Sequence, residues 1–265
     1  MPHWIDRPAV VVAAGGTRAP AVGCAMLVRP SPTLVGLSRL GDVVLLVMDW
    51  ATPRWERARA LWPFAVLAVG ASLVFAWMCD AVGDRDGVTA VDGPVSAWFA
   101  LHRSATEGQL GLLLAKATSP AVLIGLVVLA ALVLRLRGLR LEATLLAGAT
   151  VLAYGAGAVA KYAEHRARPL APVNLAPETE PSFPSGHVLV VATLASIAVG
   201  LAWAHLDRVG RVLASLSAVA VTLVVGVDRL VVGAHWLTDV VGSLALAAVV
   251  AALALSTHHL LRAPE

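Results

Sequence analysis

The sequence predicts an all-α integral membrane protein, a bundle of six transmembrane helices with an interfacial amphipathic helix ahead of the second span. Three observations carry that prediction. Of the 265 residues, 58% are hydrophobic and only 14% charged. Apolar stretches of span length recur from Leu61 onward, and arginines gather in alternate connections between them. A soluble domain of this size seldom carries so few charges, whereas a helix crossing the bilayer core needs roughly 20 apolar residues.

Residues 1–59 stand apart from this pattern. Their short apolar stretches, 9–14 and 43–48, are interrupted or preceded by Gly15, Gly16, Pro20, Pro30 and Pro32. Neither can span, and the ordered charged, apolar and small-residue regions of a cleavable leader are not seen. The expectation is a flexible cytoplasmic tail, with Met48 as an alternative start that would leave residues 1–47 outside the native protein. The six-span domain is expected over 60–257, with spans near 61–81, 120–134, 141–161, 185–204, 212–228 and 235–255, and a short cytoplasmic tail over 258–265. Val91–Lys116 mixes Trp98 and Phe99 with His102 and Arg103, which suits an amphipathic helix lying at the interface.

Orientation follows from the basic residues. Arg54, Arg57 and Arg59 precede the first span; Arg135, Arg137 and Arg140 join the second to the third; Arg208 and Arg211 join the fourth to the fifth; Arg262 follows the sixth. With six spans all of these fall on one side, which the positive-inside rule makes cytoplasmic. The protein is therefore expected in the cell membrane with both termini cytoplasmic. Asp80, Asp84, Asp86, Asp92, Glu178 and Glu180 fall on the other side. Cys24 and Cys79 are assigned to opposite sides, which argues against a disulfide, and no cysteine–histidine cluster suggests a metal. The net charge of +3 is scattered over helix ends, so a nucleic-acid partner has no support.

Three clusters at the extracytoplasmic span ends carry chemistry. Lys161 closes the third span and Arg168-Pro169 follows; two cations there can clamp a phosphate or simply anchor the helix to headgroups. Arg166 and His165 read as interfacial. Ser185, at an N-cap position, and Gly186 present free backbone N–H groups to an anion, and His187 in the first turn can transfer a proton. Arg229 precedes His235 and Asp239, a pair at i and i+4 in which the carboxylate can fix the imidazole tautomer. Each cluster has a plainer reading, as an anchor, a cap or a helix-end hydrogen bond.

Together the clusters closely resemble the type 2 phosphatidic acid phosphatase (PAP2) family, which includes glucose-6-phosphatase and the vanadium haloperoxidases. The matching residues are Lys161 with Arg168-Pro169, then Pro184-Ser185-Gly186-His187, then Arg229, His235 and Asp239, in order and in spacing. The resemblance covers residues 61–257. It implies a PAP2-like fold and hydrolysis of a lipid phosphate without metal or other cofactor. His235 would be the nucleophile, Asp239 its partner and His187 the acid and base. Lys161, Arg168, Ser185, Gly186 and Arg229 would bind phosphate. Asp228 stands where the family usually has serine and is expected to turn toward a cation. The implied partners are membrane lipids and a lipid phosphate: a polyprenyl pyrophosphate, phosphatidic acid or phosphatidylglycerol phosphate. The Ala, Val, Leu, Arg and Gly bias suggests a GC-rich bacterium and so an envelope lipid. A lipid phosphotransferase with the same site is the alternative within this chemistry. An anion or lipid transporter is the alternative of another class, disfavoured because ionisable residues are scarce at the span centres.

Overall fold

The computed structural model describes residues 40–176 and 178–262, with side chains from Arg59 onward. The chain falls into two units, residues 1–49 and 50–265. All regular structure among the described residues is helical. The order is α1 (Leu40–Asp84), α2 (Asp92–His102), α3 (Ala105–Ala117), α4 (Pro120–Leu136), α5 (Arg140–Glu164), α6 (Gly186–Ala202), α7 (Arg208–Val231) and α8 (Leu237–Arg262), with short 3-10 turns at Gly87–Val91 and Trp203–His205.

Among the described residues five segments are long and apolar enough to cross a membrane: Arg59–Asp84, Arg140–Glu164, Gly186–His205, Arg208–Val231 and Leu237–Arg262. A sixth crossing arises if α3 and α4, bent by 44° at their junction, act as one broken span. The bend has a local cause. Ser119 is extended and Pro120 opens α4, where a missing N–H costs nothing.

Helix ends follow from sequence. Ser104 and Glu107 form a capping box that starts α3, and Asp207 accepts from the Gly210 amide to start α7. Gly138, with φ +81°, turns the chain between α4 and α5.

Helices α6 and α8 form the centre, and of the five spanning segments α8 is the most buried and α7 the least. Small residues let the helices approach: Gly157 faces Leu189, Gly200 faces Leu255 and Gly242 faces the Phe183 ring. Leu146, Ala153, Leu189, Ile197, Leu246 and Val250 fill the space between α5, α6 and α8. Leu67 and Leu73 of α1, Leu132 of α4, Val159 of α5 and Leu216 and Val224 of α7 stay exposed. Such outward apolar faces suit contact with lipid.

Several boundaries differ from the sequence expectation. Residues 40–59, assigned to a tail, are helical and belong to α1; the rest of that stretch, with Cys24 and residues 9–14, lies outside the described residues. Helix α8 runs on to Arg262, into the segment assigned to the C-terminal tail. The single amphipathic helix expected over Val91–Lys116 is two helices. Arg103 is extended between them because its guanidinium donates to three carbonyls, Val173 (2.5 Å), Pro172 (2.8 Å) and Val231 (3.0 Å). It thereby ties the α2–α3 break to the α5–α6 connection and the end of α7.

Gly233, in the α7–α8 connection, has φ +67°, and any Cβ there would run into the Val173 carbonyl. Gly233→Ala is expected to destabilise the protein by about 2 kcal/mol or more. A lowered melting temperature in detergent, beside an unchanged one for Gly125→Ala, where a Cβ meets nothing, would show it.

Candidate active site

One end of the bundle collects the residues singled out in the sequence. There the C-terminal ends of α5 and α7 meet the N-terminal ends of α6 and α8, bridged by the α5–α6 connection, residues 165–185. A cavity of about 480 Å³ opens at this end, lined by Lys161, Arg168, Glu178, Gly186, His187 and His235, and by Tyr154 two helical turns before Lys161.

His235 is buried just ahead of α8, not on it, and its ring is gripped from both sides. Arg168 Nη1 lies 3.2 Å from Nε2, and Asp239 Oδ2 lies 3.3 Å from Nδ1. A guanidinium can only donate, so Nε2 accepts and the hydrogen sits on Nδ1, donated to Asp239. The lone pair of Nε2 therefore faces the cations. Burial pushes the His235 pKa below its ordinary value; hydrogen bonding and charge from Asp239 oppose this without overcoming it.

Arg168 also donates to the carbonyls of Glu180 (2.7 Å) and Ala234 (2.8 Å), which fixes its plane against the turn carrying His235. Burial draws its pKa down, and Glu178 partly restores it. Lys161 donates to the Pro181 carbonyl at 2.5 Å, so it holds the connection as well as facing the cavity. Arg229 is fully buried and paired through Nε and Nη2 with Asp228, the carboxylate at the position where serine was expected. Its Nη1 has no hydrogen-bond partner, and neither does the buried Ser185 Oγ. Ser185 is the N-cap of α6 without a side-chain cap bond, and Gly186 beside it has open space where a Cβ would be. His187 Nε2 lies 3.3 Å from the Ala115 carbonyl. A carbonyl only accepts, so Nε2 carries the hydrogen and Nδ1 is left for proton exchange.

All eight residues singled out in the sequence thus meet at this end. Three features were not foreseen. Glu178, read only as an extracytoplasmic acid, sits among the cations: its carboxylate is 2.6 Å from Arg168, 3.6 Å from Arg229 Nη1 and 3.9 Å from His235 Nε2. Burial pushes its pKa up, but Arg168, His235, His187 and Arg229 outweigh burial and hold it below the usual carboxylate range. Arg166, expected at the interface, instead points inward and pairs with Asp239 (2.5 Å) and Asp92 (2.6 Å); two buried carboxylates claim it. Asp92, expected only as an extracytoplasmic acid, is buried on α2. No local pattern marks any of the three, because their partners lie on remote segments. Among the described residues no group of three or more His, Cys, Asp or Glu is placed to hold a metal ion. The arrangement suits an oxyanion: donors converge on one point, and a carboxylate already occupies it.

Comparison with known proteins agrees with this reading of the fold. The family model of the PAP2 superfamily matches residues 142–262. Among solved structures, the chain is similar to a transmembrane PAP2-type phosphatidylglycerolphosphate phosphatase from Bacillus subtilis, at 20% identity and a TM-score of 0.66, over 75% of this chain and 98% of that one. It also matches LpxE from Aquifex aeolicus at 18% identity and a TM-score of 0.45, over 63% of this chain and 95% of that one. None of the curated proteins matches significantly.

Because Glu178 holds the point where the donors converge, an added oxyanion must displace it. Glu178→Gln is expected to tighten binding of orthovanadate about tenfold, or about 1.4 kcal/mol, measured by calorimetry on the purified protein. An unchanged affinity would mean that the carboxylate does not compete.

Proposed function

We propose that this chain, whose residues 142–262 match the family model of the PAP2 superfamily, is a lipid phosphatase that hydrolyses a phosphomonoester or pyrophosphate of a membrane lipid through a phosphohistidine, with cationic side chains in place of a metal. The observation that carries the reading is the double grip on His235, which directs an unprotonated Nε2 toward a cluster of cations. The PAP2 phosphatase fold of the Bacillus subtilis neighbour accords with it.

In the proposed reaction the Nε2 lone pair of His235 attacks phosphorus, an N–P bond forms and the bond to the leaving oxygen breaks. His187, protonated beside the anionic substrate, gives its proton to that oxygen. It then takes a proton from water, whose oxygen attacks phosphorus and breaks the N–P bond. Inorganic phosphate leaves and both imidazoles return to their starting states. Asp239 steadies the positive charge on His235 while the N–P bond exists. Lys161, Arg168, Arg229 and the backbone N–H groups at Ser185–Gly186 hold the equatorial oxygens, where charge spreads in the transition state. Glu178 must leave Arg168 and Arg229 when the substrate enters.

The proposed substrate is a bacterial envelope lipid: a polyprenyl pyrophosphate, phosphatidic acid or phosphatidylglycerol phosphate. Two properties support a lipid. The cavity lies at the ends of membrane-spanning helices, and beside its charged and polar residues its lining includes the apolar Leu112, Ala115 and Pro120. The proposed orientation, with the site on the extracytoplasmic side, follows from the arginines at the opposite ends of the helices.

Purified protein assayed with these three lipids in EDTA is expected to release inorganic phosphate from at least one, while His235→Ala releases none. Release by the alanine variant, or by no lipid with folded wild type, would contradict the reading. A lowered His235 pKa keeps the nucleophile neutral at pH 7, so acidification removes it only well below the ordinary value. The acid limb of kcat/KM assigned to His235 is therefore expected below about pH 6.5, and a limb above that value would contradict the burial argument.

A further inference from the structure

Asp239 divides its two oxygens between two tasks. Oδ2 accepts from His235 Nδ1 (3.3 Å) and from the Trp236 amide (2.9 Å), whereas Oδ1 accepts from Arg166 Nη1 (2.5 Å). Among the described residues Arg166 supplies the one hydrogen bond to Oδ1, and so fixes the rotation that turns Oδ2 to the imidazole. The same guanidinium spans a second carboxylate: its Nη2 donates to Asp92 Oδ2 at 2.6 Å. Asp92 is itself pinned to the start of α8, accepting from the Thr238 amide (3.0 Å) and hydroxyl (2.6 Å). The Thr238 hydroxyl oxygen in turn accepts from Arg166 Nη1 at 2.7 Å. The Trp236 ring lies 5.6 Å from the guanidinium carbon, and Trp236 Nε1 donates to the Ala167 carbonyl, which fixes the backbone next to Arg166.

We propose that Arg166 and Asp92 are positioning residues for the His235–Asp239 pair, so that helix α2, which contributes no residue to the cavity lining, sets the tautomer and aim of the nucleophile. This rests on the phosphatase reading for its kinetic consequence, though not for its structural one. The side chains of Arg166, Asp92 and Asp239 are 14%, 4% and 0% exposed, so water cannot stand in for a missing partner. Two carboxylates about one planar fork also explain why arginine is needed here. A lysine would keep the charge but could not hold both in fixed directions.

A merely structural latch would lower stability and leave turnover intact, whereas a positioning role separates kcat from KM. Arg166→Lys and Asp92→Asn are expected to cut kcat by between about tenfold and a hundredfold while KM stays within about twofold. Asp92→Glu, which keeps the carboxylate, is expected to recover part of the loss. A second readout needs no activity. With 15N-labelled histidine, and His235→Ala for assignment, the His235 ring of the wild type should show hydrogen on Nδ1 alone, and both variants should show a mixture of tautomers. Turnover within twofold of wild type in both variants, or a His235 ring signal identical to wild type in both, would overturn the proposal. Absence of any phosphatase activity in the wild type would instead overturn the phosphatase reading, and the ring signals would still decide the positioning role.

Discussion

A guanidinium with no exposed surface, at the end of the least buried spanning helix, is the constraint around which the rest is arranged. Arg229 reaches neither water nor headgroups, so its charge must be met by protein. Asp228 meets it on one side and Glu178 approaches on the other. That leaves one donor, Nη1, without a hydrogen bond, and the buried hydroxyl of Ser185, the cap of α6, lacks one too. An unused donor in such a place raises the attraction for an oxyanion. Every other charged side chain of the site can be understood as aiming or balancing that attraction.

Balance is achieved by carboxylates of two kinds. Asp228 and Asp239 are committed to fixed partners, Asp228 to Arg229 and Asp239 to His235 and Arg166. Glu178 sits in the α5–α6 connection and makes its contacts by reaching into the cavity, so it can be exchanged for an incoming anion. Arg168 joins the two groups, since it touches both Glu178 and the imidazole of His235. Displacing Glu178 would therefore change the electrostatic surroundings of the proposed nucleophile as an anion binds.

Much of this was legible in the chain. Spans could be read because bilayer crossing imposes a long apolar run, and Pro120 and Gly138 mark the ends of α4 plainly. Lys161, Arg168, His187, Arg229, His235 and Asp239 were legible because each sits at a fixed short spacing from another member of its cluster. The rest was not, and the reason is distance along the sequence. Asp92 meets Arg166 across 74 residues and Thr238 across 146. Arg103 similarly reaches Val231 across 128. Arg166 was read as interfacial because arginines near span ends commonly are; only the fold reveals two buried carboxylates waiting for it. The break between α2 and α3 has one local mark, the Ser104–Glu107 capping box, but the carbonyls that hold Arg103 extended come from other segments.

In the proposed mechanism two imidazoles and three cations surround one phosphorus in a single pocket. An experimental structure with orthovanadate, which adopts the geometry of in-line transfer, tests this directly. The account predicts vanadium bonded to His235 Nε2, its oxygens held by Lys161, Arg168 and Arg229, His187 on the opposite side and Glu178 turned away. Vanadate bound elsewhere, or held here with the His187 ring unable to reach it, would contradict it.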